Sequence, residues 1–150
     1  MTNFVLLTRN CEEKKRNFAS ILMNFAADDM GLGKTLTTLS LVAADNAPFL
    51  PTLIVCPLSV LTNWQEQVAQ HLTSAITLYT CHGPARTTTP SHINTFRVVL
   101  TTYSTLSQDS VRLAAVNWGR VILDEGHFIK STYTGNPYHN MIPTGTRLHI

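Results

Sequence analysis

Two short stretches of the chain hold residues whose types and spacing suit phosphate chemistry. In the first, residues 28–35, Gly31 and Gly33 precede Lys34 and Thr35, between an apolar run and a run with helical character. Glycines let backbone N–H groups approach an anion, and a helix start adds unpaired N–H groups and a positive dipole end. This layout predicts a phosphate-binding loop in which Lys34 reaches the β- and γ-phosphates and the Thr35 hydroxyl ligates Mg²⁺.

The spacing of this loop departs from the usual pattern. The first glycine of a standard phosphate-binding loop would fall at position 28, where this chain has Asp28, and Gly31 supplies a glycine closer to Gly33. The motif is therefore a Gly-x-Gly-Lys-Thr variant. Taken alone, the motif is also compatible with an ordinary turn before a helix in another kind of α/β protein.

The second stretch is Asp124-Glu125, which follows the apolar residues 121–123. Mg²⁺ takes few carboxylates beside phosphate oxygens and water, so Asp124 alone can hold it, directly or through water. Glu125 then orients or deprotonates the attacking water, which together with Lys34 and Thr35 makes a complete set for hydrolysis. The alternative is that the two acids merely end a strand at a turn.

Strands and helices alternate along the chain, and these elements must position the two stretches. It predicts an α/β fold with a mainly parallel, doubly wound sheet, in which ligands lie at the carboxyl ends of the strands. Because both stretches follow apolar strands, we expect them at one edge of the sheet. The predicted strands are residues 21–27, 52–56, 75–81, 96–103 and 121–123, and the predicted helices are residues 36–44, 59–72 and 106–116.

Three side-chain assignments accompany the predicted helices. The first helix should bury the face that carries Leu36, Leu39 and Ala43, which recur at helical spacing. Ser59 is a plausible N-cap for the second helix. Trp64, in the same helix, is expected to pack in the core.

Composition excludes several classes of protein. Charged residues make up 13% of the chain, about half the usual share, so a disordered chain is excluded. A net charge of +2 is too mild to indicate nucleic-acid binding by itself, and no apolar run is long enough to span a membrane. Cys11, Cys56 and Cys81 match no zinc or disulfide spacing, which predicts reduced, buried thiols in an intracellular protein.

Four ordered segments resemble motifs of the SWI/SNF-type helicase-like ATPases of superfamily two. Residues 27–36 closely resemble motif I of that family, in which an aspartate at position 28 is normal. Residues 53–64 look like motif Ia, residues 98–103 like motif Ib and residues 121–130 like motif II. The sequence Asp124-Glu125-Gly126-His127 is similar to the helicase-like transcription factor and postreplication-repair subgroup.

The resemblance implies a RecA-like P-loop domain, the first lobe of a DNA-dependent ATPase and translocase that acts in chromatin remodelling or DNA repair. It assigns residues 21–130 to the ATP-binding lobe, residues 1–20 to an unassigned N-terminal segment and residues 131–150 to an irregular tail with a degenerate motif III. The implied cofactors are ATP and Mg²⁺. The implied partners are double-stranded DNA and nucleosomes or repair proteins, with a nuclear location and no membrane.

The resemblance also carries roles to individual residues. Glu125 and Lys34 would act in catalysis, Thr35 and Asp124 would hold Mg²⁺, and His127 would couple the ATP state to the rest of the motor. The residues that would bind ATP are Asp28, Asp29, Met30, Gly31, Leu32, Gly33, Lys34 and Thr35. The residues that would lie near the surface that tracks DNA, or pack beneath it, are Pro57, Ser59, Asn63, Thr101, Thr102 and Tyr103.

The chain also departs from this family pattern. Residues 1–20 contain no glutamine, so the segment that recognises adenine in the family has no counterpart there, and Arg147 stands where motif III usually has proline. The second lobe with its arginine finger is missing, so we expect a fragment whose sheet is incomplete at both ends. Two alternatives remain: a nucleotide- or DNA-binding module without turnover, and a small P-loop kinase or GTPase, which would leave motifs Ia and Ib unexplained.

Overall fold

A computed structural model describes residues 5–9, 18–21, 32–44, 50–72 and 76–125, and it describes side chains from Thr35 onward within these ranges. The strands are β1 (Val5–Arg9), β2 (Phe18–Ile21), β3 (Thr52–Cys56), β4 (Leu78–Cys81), β5 (Val98–Thr102) and β6 (Arg120–Leu123). The helices are α1 (Leu32–Ala44), α2 (Leu58–His71), α3 (Pro90–Ile93), α4 (Tyr103–Gln108) and α5 (Ser110–Ala114).

The strands form one sheet in the order β2-β1-β6-β3-β5-β4. β6, β3, β5 and β4 are mutually parallel, whereas β1 runs antiparallel to both β6 and β2. The expected α/β fold with a mainly parallel sheet is confirmed. The antiparallel pair β1 and β2 is an addition, because it lies mostly in the N-terminal segment to which the sequence assigned no element.

Helices cover both faces of the parallel strands, so the sheet is doubly wound as predicted. On β3, Leu53 and Val55 face a cluster that includes residues of α3, α4 and α5. Ile54 and Cys56 face the opposite cluster, to which α1 and α2 contribute. Because both faces are covered, every residue of β3 is buried, which explains its continuous apolar run.

The buried face of α1 differs from the predicted one. Leu39 is buried as expected, but its buried neighbours are Thr38 and Val42, whereas Leu36 is 44% exposed and Ala43 is exposed. The prediction was wrong for Leu36 and Ala43. Helical spacing admits apolar stripes on either side of Leu39, and only packing against the sheet and α2 decides between them.

The N-terminus of α2 also differs from the prediction. The helix begins at Leu58, its N-cap is Pro57, and no side chain makes a capping hydrogen bond. Ser59 therefore lies inside the first turn and is not the cap. The reason is that β3 ends at Cys56, so a single extended proline, with φ −59° and ψ 148°, makes the whole connection from strand to helix.

The remaining predicted elements exist with changed bounds. The strands predicted over 75–81, 96–103 and 121–123 are β4, β5 and β6. The helix predicted over 106–116 is two short helices, α4 and α5, which meet at Asp109. Of the strand predicted over residues 21–27, Ile21 belongs to β2 and the rest lies outside the described residues.

Candidate functional site

The carboxyl ends of the parallel strands bring together residues from three elements around Asp124. Val55 of β3 pairs with Leu123 of β6, and Cys56 pairs with Thr102 of β5. The backbone N–H of Asp124 donates to the carbonyl of Val55 at 2.8 Å, so strand pairing continues one residue beyond β6. Asp124 is thereby fixed at the carboxyl edge of the sheet, where ligands bind in folds of this kind.

Two aromatic side chains hold Asp124 from neighbouring helices. The indole N–H of Trp64, in α2, donates to Oδ2 of Asp124 at 2.8 Å. The phenolic hydroxyl of Tyr103, the first residue of α4, donates to the carbonyl oxygen of Asp124 at 2.7 Å. The N–H, the carbonyl and the carboxylate of Asp124 are therefore each held by a different element, so its position is strongly determined.

Glu125 has an unusual backbone conformation directly after this fixed residue. Its φ is +54°, and it is the one non-glycine residue with positive φ in the part of the chain that the structure describes. A left-handed conformation is costly for a residue with a Cβ atom, and such strain is concentrated at functional sites. This strained turn ends β6 and sets the direction in which the Glu125 backbone leaves the sheet.

The segment that contains the predicted phosphate loop leaves from the same edge of the sheet. Ile21, the last residue of β2, pairs with Leu6 of β1, and Leu6 pairs on its other side with Ile122 of β6. β2 and β6 therefore run in the same direction, and their last residues are nearly level. The loop connects this end of β2 to α1, which begins at Leu32.

Only part of the predicted phosphate-binding set falls within the described residues. Residues 28–31 and His127 lie outside them, and Leu32, Gly33 and Lys34 are described by their backbone alone. Thr35 is half-buried in the first turn of α1. The roles predicted for all these residues, and for Asp124 and Glu125, remain predictions.

The chain matches known proteins over most of its length. The family described as the SNF2-related domain matches residues 8–137. The chain belongs to this family. The resemblance found in the four sequence motifs is therefore confirmed.

Individual SNF2 relatives share between a third and a half of the aligned residues. The human helicase-like transcription factor is 45% identical over 87 residues, which cover 53% of this chain and 9% of that protein. The fission yeast chromatin structure-remodeling complex subunit snf21 is 36% identical over 121 residues, covering 74% of this chain and 10% of that protein. A probable global transactivator of an Orgyia pseudotsugata polyhedrosis virus is 36% identical over 136 residues, covering 85% of this chain and 26% of that protein. The chain thus spans a small part of these relatives.

The residues that resemble motifs Ia and Ib divide into buried and exposed groups. The Thr101 hydroxyl is buried and donates to the Cys81 carbonyl at 2.9 Å, and the buried Thr102 hydroxyl accepts from the N–H of Thr105 as the cap of α4. Ser59 and Asn63 are exposed on α2. Pro57 and Tyr103 are half-buried. Ser59 and Asn63 are therefore accessible for the predicted DNA contacts, whereas Thr101 and Thr102 are buried beneath the surface.

Cys56 and Cys81 are free, buried thiols, as predicted. Burial, and secondarily the charge of Asp124, raises the pKa of Cys56 to about 12. Burial likewise raises the pKa of Cys81 to about 11. Both are protonated near neutral pH, so neither is a reactive nucleophile. Cys11 lies outside the described residues.

Two features are absent from the described residues. They contain no group of three or more His, Cys, Asp or Glu side chains arranged to hold a metal ion. No helix among them has the length and apolar character needed to cross a membrane.

The contacts of Trp64 and Tyr103 with Asp124 were not predicted from the sequence. Trp64 is buried, as expected for a core residue. A buried indole N–H requires an acceptor, however, and the acids at a strand end were available as candidates. That signal pointed to some acceptor for Trp64, but no sequence pattern identified Asp124 as the partner.

Proposed function

We propose that this chain is the ATP-binding lobe of a DNA-dependent ATPase and translocase of the SNF2 family, acting in chromatin remodelling or DNA repair. The observation that carries the proposal is the fixed position of Asp124. Its carboxylate lies at the carboxyl end of β6, at the same sheet edge from which the segment before α1 leaves β2. Family membership supports the same assignment.

The side chains in this region suit Mg²⁺ and a nucleotide triphosphate. Mg²⁺ prefers hard oxygen ligands, and a half-buried carboxylate at Asp124 and a hydroxyl at Thr35 are donors of that kind. When bound, the ion neutralises charge on the phosphate oxygens. In this proposal Lys34 and the backbone of residues 28–35 bind the phosphates, Glu125 orients the attacking water, and His127 couples the ATP state to the motor.

Duplex DNA is the proposed track of the complete motor. On this lobe the exposed Ser59 and Asn63 are suited to phosphate contacts, which position DNA without reading its sequence. A protein with these partners acts in the nucleus. Two relatives, a helicase-like transcription factor and a chromatin structure-remodeling complex subunit, carry names that fit this setting.

A second candidate is a lobe that holds nucleotide or DNA without turning ATP over. The observation that favours it is that all strands of the described residues belong to one sheet. A cation that faces the γ-phosphate speeds phosphoryl transfer, and the family resemblance assigns that cation to a second lobe. ATPase measurements with and without duplex DNA distinguish the two candidates.

Replacement of Lys34 tests the proposal. Lys34→Ala removes a charge-assisted phosphate contact worth about 1.5–3 kcal/mol, so we expect Mg-ATP affinity to fall about 10-fold or more. Isothermal titration calorimetry measures this, with Arg112→Ala, which removes a cation whose side chain is 73% exposed, as control. Equal affinities of wild type and Lys34→Ala would exclude a phosphate site at this loop.

A further inference from the structure

We infer that Trp64 is a positioning residue for Asp124, and that its indole N–H sets the affinity of this site for Mg²⁺. The inference rests on the proposed function, in which Asp124 is a ligand of the ion. No side chain in α2 belongs to the predicted phosphate or Mg²⁺ sets. Trp64 would add a residue from motif Ia to the ATP site.

The Trp64 hydrogen bond is short and held in a rigid setting. Nε1 lies 2.8 Å from Oδ2 of Asp124, and an indole N–H can only donate. The side chain is 2% exposed and packs in the cluster that contains Leu39 and Val42 of α1 and Ile122 of β6. Because the ring is enclosed by α1 and the sheet, the N–H cannot turn away from Asp124 without disturbing the core.

A donor fixed in this way controls the orientation of a carboxylate. Holding Oδ2 restrains the rotation of the carboxylate and thereby limits where Oδ1 can lie, while Tyr103 and Val55 fix the backbone of the same residue. An ion that meets a pre-oriented ligand does not pay for ordering it. Loss of a partner that orients a metal ligand typically lowers metal affinity 10- to 100-fold.

The chain offers a matched control for Trp64. It contains two tryptophans, and the second, Trp118, is also buried and donates its indole N–H at 2.7 Å. The acceptor is the backbone carbonyl of Leu113, within the cluster on the opposite face of the sheet. Trp118→Phe therefore removes an equivalent buried donor without touching Asp124.

The first experiment titrates Mg²⁺ in the 150-residue chain at a fixed concentration of a nonhydrolysable ATP analogue, with calorimetry as the readout. For Trp64→Phe, which retains an aromatic ring, we expect the Mg²⁺ midpoint to rise about 10-fold or more. Affinity for the analogue in excess EDTA should stay unchanged, because a purely structural effect would alter both quantities. Trp118→Phe should leave the midpoint unchanged.

Three results of this experiment have distinct meanings. A raised midpoint in Trp64→Phe alone supports the inference. Equal midpoints in wild type and Trp64→Phe overturn it while leaving the proposed function intact. Absence of Mg²⁺-dependent binding in the wild type overturns the proposed function, and the inference with it.

A second measurement leaves Trp64 in place and so does not depend on Trp64→Phe folding. In the Trp118→Phe chain Trp64 is the sole indole fluorophore, and a cation bound to Asp124 changes the electric field at its ring. We expect its emission to shift when Mg²⁺ is added with the analogue, and the shift to be lost in Asp124→Asn. An emission spectrum that does not respond to Mg²⁺, while calorimetry shows binding, overturns the inference.

Discussion

At the scale of single residues, Asp124 and Glu125 are adjacent acids with different constraints: hydrogen bonds hold Asp124, whereas Glu125 has a strained backbone. Asp124 is held through its N–H, its carbonyl and its carboxylate, whereas Glu125 adopts a left-handed conformation that costs on the order of 1–3 kcal/mol. The order and types of the two acids could be predicted from the sequence. The strain at Glu125 could not, because no local pattern requires a positive φ at a glutamate.

Glu125→Gln is the sharpest test of the role proposed for this residue. In a protein that joins this lobe to a competent second lobe, we expect Glu125→Gln to retain ATP binding and lose hydrolysis. The amide keeps the size of the side chain but cannot take a proton from water. Calorimetry measures binding, and phosphate release measures turnover.

Asp124→Asn is the companion variant. It should weaken Mg²⁺-dependent binding as well as turnover, because Asp124 is proposed to hold the ion. Hydrolysis by Glu125→Gln at the normal rate would show that the role assigned to Glu125 is wrong.

At the scale of elements, Arg86 ties the connection after β4 to the junction of α4 and α5. Its Nε donates to Oδ2 of Asp109 at 2.6 Å, and its two Nη atoms donate to the Gly83 carbonyl and to Oε1 of Gln108, each at 2.8 Å. Side chains of Arg86 and Asp109 are 20% and 12% exposed. The helix predicted over residues 106–116 is interrupted at Asp109, the same residue that pairs with Arg86.

Arg86→Ala should lower the free energy of unfolding by about 1–3 kcal/mol, because it leaves a half-buried Asp109 without its main cation. Arg112 contacts the same carboxylate at 3.7 Å but is 73% exposed, so Arg112→Ala should cost under about 0.5 kcal/mol. Urea denaturation of both variants measures the difference. Equal losses would mean that the Arg86 contacts do not stabilise the fold.

The elements differ in how far the sequence determines them. β3, β5 and β6 were predictable because strands buried on both faces carry short apolar runs, here residues 53–56, 98–100 and 121–123. The buried face of α1 and the N-terminus of α2 depend on packing and on the length of the preceding connection, which local patterns do not contain. β1 was not predicted because its place in the sheet depends on pairing with β6, which is distant in the sequence.

At the scale of the whole molecule, the sheet places two of the described arginines unfavourably for catalysis. Arg120 begins β6, and its partner across β3 is Thr52, the first residue of that strand. Arg97 immediately precedes β5. Both backbones therefore lie at the amino edge of the parallel strands, opposite to Asp124.

The 150-residue chain should accordingly turn over ATP poorly, even with duplex DNA. An arginine that stabilises the transferred phosphoryl group is worth on the order of 10³–10⁵ in rate. Arg97 and Arg120 lie at the opposite edge, and Arg86 is engaged with Asp109, Gln108 and the Gly83 carbonyl. With a net charge of +2, its DNA binding should also be weak and lost with salt.

Phosphate release should be measured with and without DNA over a range of protein concentrations, since self-association would supply a cation in trans. Robust DNA-stimulated hydrolysis by the monomer would contradict this prediction. It would mean that Arg97, Arg120 or Arg147 reaches the phosphate.

The pairing of β1 with β6 has a consequence for how the protein is made on the ribosome. β1 pairs with β2, which follows it closely in the chain, but Val5 also pairs with Leu123, so β1 cannot reach its second neighbour, β6, until nearly all of the described chain has been synthesised. β5 pairs in parallel with both β3 and β4, and all three strands are complete by residue 102. Because β6 is the last of the described strands to leave the ribosome and Asp124 follows it, β3, β5 and β4 can pair before the carboxylate proposed to bind the metal joins the sheet.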